Sequence, residues 1–195
     1  MNSSSQNPVK IEIYRPSWPA EFKQIGQTLR QGLGSLALRI DHIGSTSVPG
    51  LAAKDVIDLQ ITVEALSEEL ILKMNELGYI LPAGIWRDHA PPGQNGPESD
   101  WAKLLFRPPS SQRRTNTHVR VAGRPNQRYP LVFRDFLRAH PNMAEAYAEL
   151  KRRLAVHLAD GNSYPEVKDP AVDLIYFSAE TWAAQTHWQP GPSDL

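Results

Sequence analysis

The stretch from His42 to Ile61, HIGSTSVPGLAAKDVIDLQI, constrains this chain more than any other. It reads as a strand, a small-residue loop, a helical turn and a second strand that carries a carboxylate. Gly44 and Ser45 remove bulk where backbone must approach something closely. The hydroxyls of Ser45, Thr46 and Ser47, with nearby N–H groups, suit a phosphate. Asp58 falls within the apolar run Val56, Ile57, Leu59, Ile61 and Val63, which predicts a buried strand. A carboxylate there is costly unless it is paired, hydrogen-bonded or metal-bound. The plainer reading is a Ser/Thr turn capping the entry to a core strand. Lys54, just before that strand, is either an exposed side chain or a point charge for a phosphate.

The 195 residues are 41% hydrophobic, enough for one domain with a sizeable core. Twenty-one Lys and Arg balance 21 Asp and Glu. Neutrality of this kind gives no global pull toward nucleic acid or a membrane surface. The absence of cysteine removes disulfide, thiol and Cys-based zinc chemistry. With no long apolar run and no signal-peptide pattern at its start, the sequence predicts a cytoplasmic protein. The expected layout is a single domain over 9–186, with flexible tails at 1–8 and 187–195.

Along the chain, Val9, Ile11 and Ile13 alternate with polar residues, predicting a half-buried strand. A helix follows over 19–33, with Phe22, Ile25, Leu29 and Leu33 on its apolar face. Strands are expected over 36–43 and through the Asp58 run, and then a helix over 67–77 with Ser67 as cap and Gly78 as stop. A short strand at 79–81 precedes an irregular loop over 82–100, long enough to be functional or disordered. That loop carries Asp88 and His89. Residues 101–107 and 117–121 read as strands, the second placing His118 and Arg120 on one face. If that strand lies beside the Asp58 strand, His118 and Arg120 can face the Gly44–Ser45 loop. Helices are expected from Pro130, from Met143 to Leu158, and from Pro170 to about Ala184. In the second of these, Lys151, Arg152 and Arg153 read as a solvated basic face.

Several of these motifs, in this order, resemble the GrpB family. They are the HIGSTSVPGL block with its following Lys54 and Asp58, the opening Tyr14, Trp18, Pro19 and Phe22, and Thr115-Asn116-Thr117-His118-Val119-Arg120. Phe133-Arg134-Asp135-Phe136-Leu137-Arg138, Tyr147 with Lys151, and Tyr164 with Lys168 complete the match. The Gly-Ser, spacer, Asp pattern also resembles the wider nucleotidyltransferase superfamily. The resemblance implies an α/β (α+β) fold, a mixed sheet flanked by helices with a helical C-terminal third. It also implies a Gly-Ser turn under a triphosphate and strand carboxylates that hold Mg²⁺ or Mn²⁺. GrpB-like domains are found fused to bacterial dephospho-CoA kinases.

The position of the second metal carboxylate is occupied by Gln60, which offers only a neutral carbonyl oxygen. The expected site has Asp58 and His118 in catalytic roles, with Asp58 and Gln60 at a metal. Gly44, Ser45, Thr46, Ser47, Lys54, Arg114, Asn116, Arg120, Arg134 and Lys168 would bind substrate. Arginine forks match phosphate bidentately, and His118 suits a general acid or base. Arg134 with Asp135 is alternatively a structural ion pair. Three functions follow. One is transfer of a nucleotidyl group to an acceptor, which a tRNA-like molecule could supply. The others are a catalytically idle module that binds a nucleotide or CoA-type phosphate, and an interaction protein.

Overall fold

The computed structural model describes residues 9–83 and 87–195. Among these residues a four-stranded mixed sheet is flanked by five α-helices. The strands are β1 (Arg39–Ile43), β2 (Ile57–Val63), β3 (Lys103–Phe106) and β4 (Thr115–Val121), in spatial order β1-β2-β4-β3. The helices are α1 (Trp18–Leu33), α2 (Glu68–Glu76), α3 (Pro125–Ala139), α4 (Pro141–His157) and α5 (Tyr164–Thr186). β1 and β3 run antiparallel to their neighbours, whereas β2 and β4 are parallel.

Strand alternation divides the sheet chemically. Ile57, Leu59, Ile61 and Val63 of β2, with Val119 of β4, pack against Phe22, Ile25 and Leu29 of α1 and Leu70 and Met74 of α2. The intervening residues lie on the other face, and the register sets Asp58 opposite Asn116, Gln60 opposite His118 and Thr62 opposite Arg120. A second core joins the turn after β1 to the C-terminal helices, through Val48 and Leu51, Val132, Phe136 and Leu137, Tyr147, and Ile175 and Tyr176. One face of the sheet is therefore an apolar floor for α1 and α2. The other is a polar floor roofed by α3, α4 and α5.

The sequence predicts the five α-helices in number but places their ends less well, and of its six expected strands four form. Ser67 caps α2, its hydroxyl accepting from the Leu70 N–H, and Gly78 follows with φ +82°. The alternating segment at 9–13 contributes only an isolated bridge between Glu12 and Ala53, and residues 79–81 only the bridge from Ile80 to Arg107. β1 is shorter than expected because Gly34–Leu36 forms a 3-10 turn. α3 begins at Pro125 and contains Pro130. α4 begins at Pro141, two residues before the expected start at Met143. α5 begins at Tyr164, with Pro165 in its first turn and Pro170 inside it. Pro in a first turn costs little, because the N–H it lacks would have no helical partner there.

The expected flexible segment at 187–195 is instead tied to the edge of the sheet. Leu195 N–H donates to Ile40 O at 3.2 Å, and Ile40 N–H donates to Ser193 Oγ at 2.9 Å. The Asp194 carboxylate accepts from His42 N–H and Arg134 Nη1 at 2.9 and 3.0 Å. These bonds satisfy β1 backbone groups that an edge strand would otherwise leave open. The expected tail at 1–8 lies outside the described residues.

Candidate functional site: a cationic cavity over the polar face of the sheet

β1 leads directly into the tight turn that the small residues predict. Gly44 adopts φ +69° and ψ −173°, a conformation open almost only to glycine. Ser45–Ser47 then form one 3-10 turn. Ser47 Oγ donates to Gly44 O at 2.6 Å, and Thr46 Oγ1 lies 3.0 Å from His42 Nε2. Two of the three hydroxyls thus hold the turn itself. Ser45, half-buried, lies 2.8 Å from Lys151 Nζ.

Between this turn, the polar sheet face and the helices lies a cavity of about 610 Å³. Gly44, Ser45 and Thr46 line it, with Lys54, Asp58, Arg114, Asn116, His118, Arg120 and Lys168 of the expected set. Asp58 Oδ1 accepts from Asn116 Nδ2 at 2.7 Å across the parallel pair. Burial raises the Asp58 pKa, opposed by the Asn116 hydrogen bond and by the charges of Lys168, Arg120 and Lys151.

Three lysines converge near Asp58 from separate elements. Lys54 precedes β2, Lys151 comes from α4 and Lys168 from α5. Lys54 Nζ stands 3.8 Å from the centroid of the Tyr164 ring. Lys151 is only 3% exposed and also donates to Ala52 O. Burial, reinforced by Lys168, pushes the Lys151 pKa down to about 7. Burial and the neighbouring cations likewise lower Lys54, while burial lowers Lys168 against the pull of Asp169 and Asp58.

Lys151 belongs to the site, not to the solvated face expected of the 151–153 run. It sits four residues after Tyr147, on the buried side of α4, so helical spacing from the aromatic was its signal.

A second polar cluster fills the cavity end over β3 and β4. Arg120 grips Asp88 with two bonds, Nε to Oδ2 at 2.7 Å and Nη2 to Oδ1 at 3.0 Å. Lys103 Nζ reaches Asp88 Oδ1 at 2.6 Å, and Asn126 Nδ2 reaches Oδ2 at 3.2 Å. Burial works against the Asp88 charge, but Arg120 and Lys103 outweigh it and hold the carboxyl far below its usual range. Asp88 lies in a long loop with no periodicity, and sequence reasoning assigned it no role. Burial, with Arg120 and Lys103 adjacent, drives the His118 pKa well below its ordinary value and keeps the imidazole neutral.

Gln60, Arg134 and Ser47 stand apart from the cavity lining. Gln60 is fully buried; its Oε1 accepts from Arg120 Nη1 at 2.8 Å and its Nε2 donates to Gln127 O at 3.0 Å. Its carbonyl is turned toward an arginine instead of a metal. Arg134 lies behind β1, where Nε pairs with Asp135 at 2.8 Å and Nη1 donates to His42 O at 3.0 Å. This is the structural ion pair that the sequence leaves open. His89 Nε2 meets Asp173 Oδ2 at 2.9 Å, joining the long loop to α5.

The donor set does not fit a paired-metal centre. Asp58 is its one cavity-facing strand carboxylate, Gln60 Oε1 is engaged, and Asp88 is saturated by cations and an amide. Among the described residues, no group of three or more His, Cys, Asp or Glu is arranged to hold a metal. No helix among them is long and apolar enough to cross a membrane.

The model of the GrpB protein family matches residues 8–177. A relative from Mycolicibacterium paratuberculosis named dephospho-CoA kinase is 38% identical over 94% of this chain and 49% of its own length. The UPF0157 protein YqkA of Bacillus subtilis is 33% identical over 89% of this chain and 48% of its own. The chain therefore spans about half the length of these curated relatives. The crystal structure of conserved protein GrpB from Enterococcus faecalis superposes with a TM-score of 0.71 and 29% identity, covering 89% of this chain and 99% of that one. Cid1, in complex with its short product ApU, superposes with a TM-score of 0.50 at 13% identity, covering 74% of this chain and 42% of that one. That likeness concerns the fold, which is nucleotidyltransferase-like with a helical C-terminal part. The match of the family model over most of its length and the architecture agree: the chain belongs to the GrpB family.

Proposed function

We propose that the chain binds a phosphorylated small molecule of nucleotide or CoA type in the cavity over β2 and β4. The Gly44–Ser45 turn, Lys54, Arg114 and Lys168 hold the phosphates. The observation that carries this reading is the convergence of three lysines from three elements on one carboxylate. Gathering ammonium groups in a partly buried site is unfavourable, and the lowered pKa values of Lys54 and Lys151 express that cost. A polyphosphate offsets it, since its oxygens accept charge-assisted hydrogen bonds from Lys54, Lys168 and Arg114. Tyr129, Phe133, Tyr147 and Tyr164 give the cavity an aromatic wall for the rest of the ligand. Relatives named dephospho-CoA kinase make CoA precursors a natural part of any ligand panel.

A second reading rests on Asp58. A strand carboxylate beside a Gly-Ser turn, in a nucleotidyltransferase-like fold, favours metal-dependent nucleotidyl transfer to an acceptor. It would require Mg²⁺ or Mn²⁺ to bind through Asp58 alone, with ligand oxygens and water completing the shell. A thermal-shift panel of nucleoside triphosphates and CoA precursors, with and without Mg²⁺ or Mn²⁺, separates the two. A ligand at 100 times its Kd stabilises the native state by about 2.7 kcal/mol. A shift that needs no metal and survives Asp58→Asn supports the binding module. A metal-dependent shift lost in Asp58→Asn supports transfer, and no shift from any ligand contradicts both.

A further inference from the structure

We propose that Ser45 is a nucleophile with Lys151 as its base, and that it takes a terminal phosphoryl group from a phosphate ester or anhydride held in the cavity. This rests on the phosphate-binding reading of that cavity but goes beyond it, since binding alone needs no nucleophile. The three hydroxyls of the turn differ in what they meet. Ser47 donates to Gly44 O at 2.6 Å, and Thr46 is paired with His42 at 3.0 Å. Ser45 alone of the three meets an amine, with Oγ and Lys151 Nζ 2.8 Å apart. Strand β1 ends one residue before Gly44, whose positive φ swings Ser45 to the cavity wall, half-buried and open to a ligand.

The amine is held in place from several sides. Lys151 Nζ donates to Ala52 O and lies 4.5 Å from the centroid of the Tyr147 ring, while the Tyr147 phenol is beside Ser45. The charged groups facing it are Lys168 from α5, Asp58 from β2 and Arg152 from its own helix. Burial and Lys168 together leave Lys151 with a pKa of about 7, so a large fraction is neutral near neutral pH.

The step balances within the site. Ser45 Oγ forms a bond to the terminal phosphorus as its proton passes to Lys151 Nζ. The bridging P–O bond breaks, and its electron pair leaves on the ester or anhydride oxygen near Lys54, Lys168 and Arg114. Water then attacks phosphorus, the Oγ–P bond breaks, and inorganic phosphate leaves as Ser45 recovers its proton.

An alkyl fluorophosphonate tests the nucleophile directly, because attack at phosphorus expels fluoride and leaves a stable adduct. The expected result is a single adduct mapped to Ser45 by mass spectrometry, absent in Ser45→Ala and suppressed by competing inorganic tripolyphosphate. Lys151→Met is expected to label at least about 100-fold more slowly, the scale of a lost general base. Should that variant fail to fold, the wild-type pH profile decides: labelling rises through pH of about 7 and then levels. Absence of a Ser45 adduct, equal labelling of folded Lys151→Met, or a flat wild-type profile overturns the proposal. If tripolyphosphate still raises the melting temperature of an unlabelled sample, the nucleophile fails while the binding reading stands.

Discussion

Gly44 and Asp58 approach so closely that a Cβ added to Gly44 would overlap Asp58 Oδ2. The turn that opens the cavity and the carboxylate on its floor are therefore one structural unit. The φ of +69° and ψ of −173° at Gly44 independently demand glycine. Gly44→Ala is expected to lose about 1–3 kcal/mol from backbone strain alone, with a further loss from the overlap. Urea denaturation reads the stability, and ligand-induced thermal shifts should disappear even in the fraction that folds.

Buried His42 and half-buried His118 predict sensitivity to acid. His42 stacks on Phe22 at 4.7 Å, and burial, with Arg138 and Arg134 nearby, lowers its pKa from 6.5 to about 3. His118 is lowered in the same direction by burial, Arg120 and Lys103. Between the two pKa values the unfolded chain binds a proton that the folded chain refuses. Stability therefore falls as pH drops below 6.5, and His42 contributes up to about 1.4 kcal/mol per pH unit down toward 3, with His118 acting in the same direction. Denaturant midpoints measured across that range should show the slope, and His42→Gln should remove its share.

The Asp88 cluster predicts a large effect from a small change. Asp88→Asn leaves Arg120 and Lys103, whose side chains are 6% and 11% exposed, without their common counter-charge. Breaking a buried pair from one side costs about 3–5 kcal/mol. A double-mutant cycle with Arg120→Met should return a strong coupling, because both single variants lose the same Arg120–Asp88 contact, while Lys103 stays unpaired in Asp88→Asn and in the double variant alike.

Arg134 and Lys168 separate fold from site. Arg134 binds Asp135, Asp194 and the His42 carbonyl outside the cavity, whereas Lys168 lines it. Arg134→Met should lower the melting temperature while the folded protein binds tripolyphosphate about as tightly as wild type. Lys168→Met should do the reverse, keeping the fold and weakening the titration about tenfold, the loss of one charge-assisted contact.

Much of this was legible in the sequence where periodicity and burial speak together. The apolar run around Asp58 marks β2, and its alternation places Asp58 and Gln60 on the face opposite Leu59 and Ile61. Helix starts were harder to locate because prolines punctuate them ambiguously. Pro130 and Pro170 read as first-turn residues, yet α3 and α5 open earlier, at Pro125 and Tyr164. Asp88 could not be found from local pattern, because a residue in an irregular loop gains its role only when the loop folds onto β3 and β4. Lys151 was visible as a partner of Tyr147 but masked by the adjacent arginines, since a basic run does not reveal which member turns inward. Gln60 was seen as a departure from the carboxylate pattern; its bonds to Arg120 and Gln127 required three-dimensional adjacency.

The lysine-lined cavity is expected to take phosphate without metal. Isothermal titration of the wild-type protein with inorganic tripolyphosphate, once in EDTA and once in Mg²⁺, tests this most directly. The predicted result is one site per chain in EDTA, weakened by added salt and by Lys168→Met but retained in Asp58→Asn. Binding that appears only with Mg²⁺ and vanishes in Asp58→Asn would contradict it and return Asp58 to the role of a metal ligand.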